Sequence, residues 1–244
     1  MKKDPFPFQD FERAKKNLFT ALTRDEEPYA LLTGDTGCGK TALLRQLRQL
    51  LDRTRHRVLY FAEAKRLGAS GLVKVVGESL RVRTSMCHAV TFDRLRRTLP
   101  DETQRIHIWL DEAHRLPEET LDEARALTEG ELDQGSRIQI LLAGQPKLRG
   151  ALQALPSLWR RIVVREEICG LLREEAPAFI EHHFEGDATR RLCEKGMDLL
   201  FERSRGAPGL LLPLYRTVLA RARGTKAKID PLQVEEILER WDMP

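Results

Sequence analysis

Residues 34–41 read GDTGCGKT and follow directly on the apolar run YALLT at 29–33. No other stretch narrows the possible folds so sharply. It matches GxxxxGK[ST] at Gly34, Gly39, Lys40 and Thr41, with a strand pattern before it and an amphipathic helix pattern, TALLRQLRQLLDR, after it. Glycines let successive backbone N–H groups turn toward one centre without a Cβ in the way, and the following helix N-terminus adds favourable potential for an anion. The loop Gly34, Asp35, Thr36, Gly37, Cys38, Gly39, Lys40 and Thr41 is therefore expected to cradle the phosphates of a nucleoside triphosphate. Lys40 is expected to neutralise the outer phosphates and the Thr41 hydroxyl to bind Mg2+. The plain alternative is a glycine-rich turn that binds nothing.

Around this loop, apolar runs alternate with helical spacing. Strands are predicted at 29–33, 58–62, 106–112, 138–144 and 161–168, and helices at 10–22, 41–53, 70–82, 91–99 and 117–132. Pro117 and the glutamates behind it make a good helix start. This order predicts an α/β fold with a five-stranded parallel sheet covered on both faces. Beyond residue 171 the strand patterns stop, and 174–184, 188–204, 208–222 and 230–241 all read as helices. The expected organisation is an α/β nucleotide-binding domain at 1–169, including the N-terminal helix, and an all-helical lid at 170–244.

A phosphate cradle needs an acid for its metal, and IHIWLDE at 106–112 supplies one at the end of a buried strand. Asp111 is expected to hold Mg2+, and Glu112 to orient and partly deprotonate the attacking water. The bland reading of a DE pair is a solvated helix start. Gln145, at the end of IQILLAGQP, is placed to hydrogen-bond the γ-phosphate or the water, or else to cap a helix beginning near Pro146. His114 reads as a helix-start residue, and His182–His183 as a surface pair of the lid rather than a metal site.

Of the 244 residues, 41% are apolar and 32% charged, which fits a globular chain with a sizeable core. No apolar run approaches the roughly 20 residues that span a bilayer, and no apolar stretch follows the N-terminal lysines as a secretory signal requires. Cysteines 38, 87, 169 and 193 are widely spaced, without a CxxC pair, as expected for reduced thiols in a cytoplasmic protein. The net charge of +4 is unevenly spread: residues 40–105 hold 15 lysines and arginines against 6 acids. That stretch is either a polyanion footprint or a set of solvated helix faces.

Taken together, GDTGCGKT, IWLDEAH, LLAGQPKL and the RRIVV strand resemble the AAA+ ATPases, in the branch of the ExeA-like ATPases and the transposition helpers MuB, TniB and IstB. The resemblance runs from about residue 5 to 222. It implies a P-loop NTPase (AAA+) fold with a helical lid, ATP and Mg2+ as ligands, ATP hydrolysis, and assembly as a homo-oligomeric ring or helical filament. It also implies an arginine finger at Arg160 or Arg161, just before the fifth strand, worth on the order of 10³ in rate in related systems. Lids of this group often carry a sensor arginine three residues after a glycine. In SRGAPGLLLPLYR that glycine is Gly206, and the matching position is Gly209. Transposition helpers often have glycine there, whereas export ATPases commonly have arginine. DEAH at 111–114 also suggests a helicase, but such enzymes stack two RecA-like domains and a single triphosphate motif is present here.

Two function classes follow. In one, the chain assembles on duplex DNA with ATP and recruits or activates a transposase. Lys65, Arg66, Lys74 and Arg81 are then the expected contacts to the DNA backbone. Phe92 is the sole ring among those basic residues, which argues against stacking on single strands. In the other, the chain is an ATPase module energising secretion or envelope assembly through a protein partner.

Overall fold

The computed structural model describes residues 4–24, 28–62, 68–99, 103–128, 138–184, 191–221 and 229–241. Their contacts divide them into two compact units, one from Ala14–Thr33 and Leu44–Glu167, the other from Met1–Arg13, Gly34–Leu43 and Ile168–Pro244.

The first unit holds the sheet. Its strands are β1 (Tyr29–Gly34), β2 (His56–Phe61), β3 (Arg105–Leu110), β4 (Ile138–Gly144) and β5 (Ile162–Ile168), in the order β2-β3-β4-β1-β5. The β2–β3, β3–β4 and β4–β1 pairs are parallel, with Ile108 level with Ile140 and Leu31 level with Leu142. Every residue of β1 and β4 is buried, which is why both are mostly apolar, with only Thr33 and Gln139 as polar side chains. At the edge, β5 alternates instead, and Val163 lies 65% exposed.

The helices of this unit are the rest of α1 (Gln9–Thr23) and α2 (Lys40–Leu50), then α3 (Ala69–Ser79), α4 (His88–Thr98), α5 (Glu118–Thr128), α6 (Lys147–Gln153) and the single turn α7 (Pro156–Trp159). Leu72, Val73, Val76, Leu95, Leu121, Leu127, Leu148 and Leu158 bury against Ile106, Ile108, Ile138 and Ile140 of the sheet in one apolar core.

Of the boundaries that differ from expectation in this unit, three have clear local reasons. The helix expected to reach Arg53 stops at Leu50, because Asp52 turns the chain by accepting from the Thr54 amide and hydroxyl, both at 2.8 Å. The helix expected at 70–82 stops at Ser79. There Arg81 adopts φ 58°, and the Arg81 and Val82 amides return to the Glu78 and Gly77 carbonyls, a Schellman closure with arginine where glycine is usual. The strand expected at 106–112 ends at Leu110, so both acids lie in a turn, with Glu112 left-handed at φ 55°.

In the second unit, α8 (Ala176–His183), α9 (Glu194–Ser204), α10 (Pro208–Arg221) and α11 (Pro231–Glu239) bury Phe179, Ile180, Leu200, Leu211, Leu214, Tyr215, Val218 and Val234. The helix expected from 188 begins at Glu194, where the Cys193 sulfur caps the Gly196 amide at 3.4 Å. Asp230 caps α11 by accepting from the Leu232 amide at 3.0 Å.

Candidate nucleotide site

In the second unit, Gly34–Leu43 forms the loop and first turn of α2. Gly37 and Gly39 lie at φ 84° and 111°, a region other residues reach only with strain. At Gly34 the constraint is space, since a Cβ there would collide with the Ile168 carbonyl oxygen and the Cys38 sulfur. Asp35, Thr36 and Gly37 are exposed, whereas Cys38 and Lys40 are buried. The Lys40 ammonium is only 6% exposed and donates to the carbonyls of Gly34 at 2.7 Å and Asp35 at 2.8 Å. The Cys38 sulfur lies 3.8 Å away, and burial raises that thiol's pKa despite the nearby lysine.

Among the described residues, no carboxylate pairs with Lys40, so a full positive charge is held in place by neutral partners. A cation buried this way at the head of an 11-residue helix is suited to an anion. Thr41 is exposed in the first turn. The donor set therefore fits a triphosphate with its Mg2+.

Gly209 closes the same loop from the start of α10. Its amide donates to the Gly37 carbonyl at 2.9 Å, and a Cβ on Gly209 would lie 3.0 Å from the Gly37 Cα and carbonyl oxygen. Backbone contact, rather than a side chain, occupies Gly209, the position that matches the sensor arginine of the resembled group. Phe8 and Phe11, with ring centroids 5.4 Å apart, pack beside Gly39.

In the first unit, the turn after β3 carries the acids. Asp111 is 3% exposed and both its oxygens are engaged. Oδ2 accepts from the Tyr60 hydroxyl at 2.8 Å, and Oδ1 from the Glu112 amide at 2.9 Å. Burial, followed by the bond to Asp111, raises the Tyr60 pKa far above its ordinary value, so Tyr60 stays a neutral donor. The Glu112 carboxylate is partly exposed and lies 3.7 Å from His114 Nε2 and 3.6 Å from Arg115 Nε.

His114 was expected to do no more than start a helix. Instead its side chain is 1% exposed, and its Nδ1 accepts from the Gln145 amide at 3.2 Å. One imidazole thus links the turn after β3 to the end of β4. Gly144 leaves room for it, since a Cβ there would lie 3.1 Å from His114 Nδ1. Gln145 itself is half-buried and precedes α6, as expected.

Residues 23–152 match the family described as AAA domain, more than half of the chain. The chain belongs to the AAA domain family. It is 28% identical over 212 residues to General secretion pathway protein A of Aeromonas hydrophila, a match covering 83% of this chain and 39% of that relative's length. Among solved structures it resembles Cdc6p of Pyrobaculum aerophilum (TM-score 0.73, 18% identity, 97% of this chain and 68% of that one). It also resembles Drosophila ORC bound to DNA (TM-score 0.67, 14% identity, 96% and 60%). The α/β P-loop fold read from the sequence is that of these structures, and AAA proteins as a family bind nucleotide.

Arg160 and Arg161 are exposed between α7 and β5, with Ile162 beginning the strand. Nearby, Arg165 stacks over Trp159 at 3.6 Å and donates to its carbonyl at 2.8 Å, bracing the approach to them. Lys74 is exposed on α3, and Arg81 is exposed just past its end. Lys65 and Arg66 lie outside the described residues.

His182 and His183 are half-buried in the second unit, bonded to the Asp4 and Phe179 carbonyls. Cys38, Cys87, Cys169 and Cys193 are all free thiols. Among the described residues, no helix is long and apolar enough to cross a membrane. Tyr60, His114 and the Gly209 amide escaped sequence reading. Of these, His114 sat inside DEAH and Gly209 at the sensor position, whereas Tyr60 sat in no recognised motif.

Proposed function

We propose that this AAA protein is a magnesium-dependent ATPase whose nucleotide state controls its assembly. The observation that carries this reading is the buried Lys40 ammonium, presented by the glycine loop with no carboxylate partner among the described residues. The loop amides and Lys40 bind the phosphates. Thr41 and Asp111 hold Mg2+, which offsets the charge that develops on the phosphate oxygens. Glu112 orients and deprotonates the attacking water, and Gln145 hydrogen-bonds the γ-phosphate or that water. Arg160 or Arg161 reaches the nucleotide of a neighbouring copy in a homo-oligomer. Arg160 is the better candidate, because its exposed guanidinium engages no group among the described residues.

The work done with ATP is assembly on duplex DNA to select a target and recruit a transposase. The glycine at position 209, where export ATPases commonly have arginine, supports that role. So does the +9 balance of residues 40–105. A second reading, an ATPase module acting through a protein partner in secretion, is supported by the likeness to General secretion pathway protein A.

Lys40→Ala tests the nucleotide reading. The variant is expected to lose Mg-ATP binding by 100-fold or more, on the order of 3 kcal/mol or above, as measured by calorimetric titration. Retention of wild-type affinity would refute the assigned pocket. Titrating the wild-type chain against unrelated duplexes over a salt series, with and without ATP, separates the two roles. Affinity that falls with salt and rises with ATP supports DNA assembly, whereas no duplex binding favours the protein partner.

A further inference from the structure

At the N-terminal end of β2, a pocket of about 310 Å3 is lined by Arg48, Leu51, Arg53, His56, Arg57, Val58 and Gln104. Three guanidiniums and an imidazole face it, and no carboxylate lines it. Asp52, the one acid between residues 48 and 58, is turned into its own loop by the Thr54 amide and hydroxyl. Among the described residues, neither Arg48 nor Arg53 forms an ion pair.

The walls are held in place from behind. Arg57 donates to the Ser79 carbonyl at the end of α3, and the Gln104 amide donates to the Arg53 carbonyl at 2.6 Å. His56 Nδ1 shares a hydrogen bond at 2.9 Å with Nε2 of the fully buried His107. Clustered like charges repel, and each loses favourable hydration as the wall around it becomes concave. A fixed, concave cluster of guanidiniums with no carboxylate in its lining suits an anion.

We propose that this pocket binds a backbone phosphate of duplex nucleic acid, at the sheet end opposite the acids of the β3 turn. The proposal rests on the DNA reading above and supplies its contact surface. Arginine matches a phosphate through paired N–H donors, and a duplex presents a charge roughly every 1.7 Å along its axis. Arg48, Arg53 and Arg57 all line this one pocket, so more than one guanidinium can meet the same phosphate. An acidic peptide would satisfy the same charges, but Leu51 and Val58 are the only apolar side chains in the lining, and Leu51 is buried.

The test is fluorescence anisotropy of a labelled mixed-sequence duplex against the full chain with ATP, from low to high salt. The wild type is compared with Arg48→Ala/Arg53→Ala, with Arg53→Ala, and with Arg55→Ala, an exposed neighbour outside the lining. These arginines are at the surface, and circular dichroism checks that each variant folds. The double variant is expected to bind about tenfold or more weakly, with the salt slope reduced by about 0.9 for each phosphate that is no longer neutralised. Arg53→Ala should cost more than Arg55→Ala. A double variant that binds like a wild type competent for duplex overturns the pocket and leaves the DNA reading intact. A wild type that binds no duplex overturns both. Displacement by polyglutamate as effective as by unlabelled duplex overturns phosphate as the ligand in favour of an acidic protein.

Discussion

The two ends of the sheet in the first unit treat charge in opposite ways. At the C-terminal end, Asp111 is buried and already receives the Tyr60 hydroxyl and the Glu112 amide, while Glu112 lies near His114 and Arg115. At the N-terminal end, Arg48 and Arg53 are exposed and form no ion pair among the described residues, and the local acid is bonded to its own turn. Groups that must stand at fixed positions for chemistry are oriented by neutral or local partners before any ligand arrives. On the proposed reading, the arginines left without an acid partner are the ones a polyanion would neutralise. The first arrangement favours reaction geometry and the second favours long-range attraction.

The comparison breaks first if the C-terminal end is not preorganised. His114→Ala removes the imidazole that accepts from the Gln145 amide and lies 3.7 Å from the Glu112 carboxylate. Turnover of ATP is expected to fall by about 10- to 100-fold, the loss of part of a general-base contribution, with KM changed by less than about threefold. Unchanged kcat would make His114 a packing residue only. His114→Gln, which can still accept at one end and donate at the other, should restore part of the rate. A purely structural role gives no reason for that rescue.

The N-terminal end can be probed by pH. Burial, then the charges of His56 and Arg105, lower the His107 pKa to about 3. Its folded pKa thus lies below the unfolded value near 6.5, and between them the unfolded chain binds the extra proton. The stability His107 confers is present above about pH 6.5 and is lost as pH falls toward 3. From pH 6.5 to 4.5 the loss from this group is on the order of 2–3 kcal/mol. Urea denaturation of the wild type and His107→Phe across that range reads it as a difference in slope, and equal slopes would contradict the assignment.

A smaller effect sharpens the picture at the acids. Tyr60→Phe removes one hydrogen bond to Asp111, worth about 1 kcal/mol, and should raise the Mg2+ concentration for half-maximal turnover severalfold. An unchanged requirement would mean the Glu112 amide alone orients the carboxylate.

How far the sequence could be read depended on where each signal lies. The five strands and the glycine loop are local patterns: β1 and β4 are buried on both faces and their apolar runs are unmistakable. The place of Asp111 and Glu112 at the end of a buried strand was legible for the same reason, although the strand stops at Leu110 and Glu112 turns left-handed. The contacts that orient those acids join residues far apart in the chain, Tyr60 to Asp111 and His114 to Gln145, and no spacing rule announces them. The early stop of α3 depends on Arg81 adopting a conformation usually left to glycine. The pocket at Arg48, Arg53 and Arg57 was visible only as a charge excess, because concavity and the placement of Asp52 come from folding.

The most direct test of the account is Glu112→Gln, measured for both Mg-ATP binding and turnover against the wild type. Binding within about threefold of wild type, together with a turnover lower by 100-fold or more, is the predicted result. A variant that hydrolyses ATP at the wild-type rate, or a wild type into which no nucleotide titrates, would contradict the account at its centre.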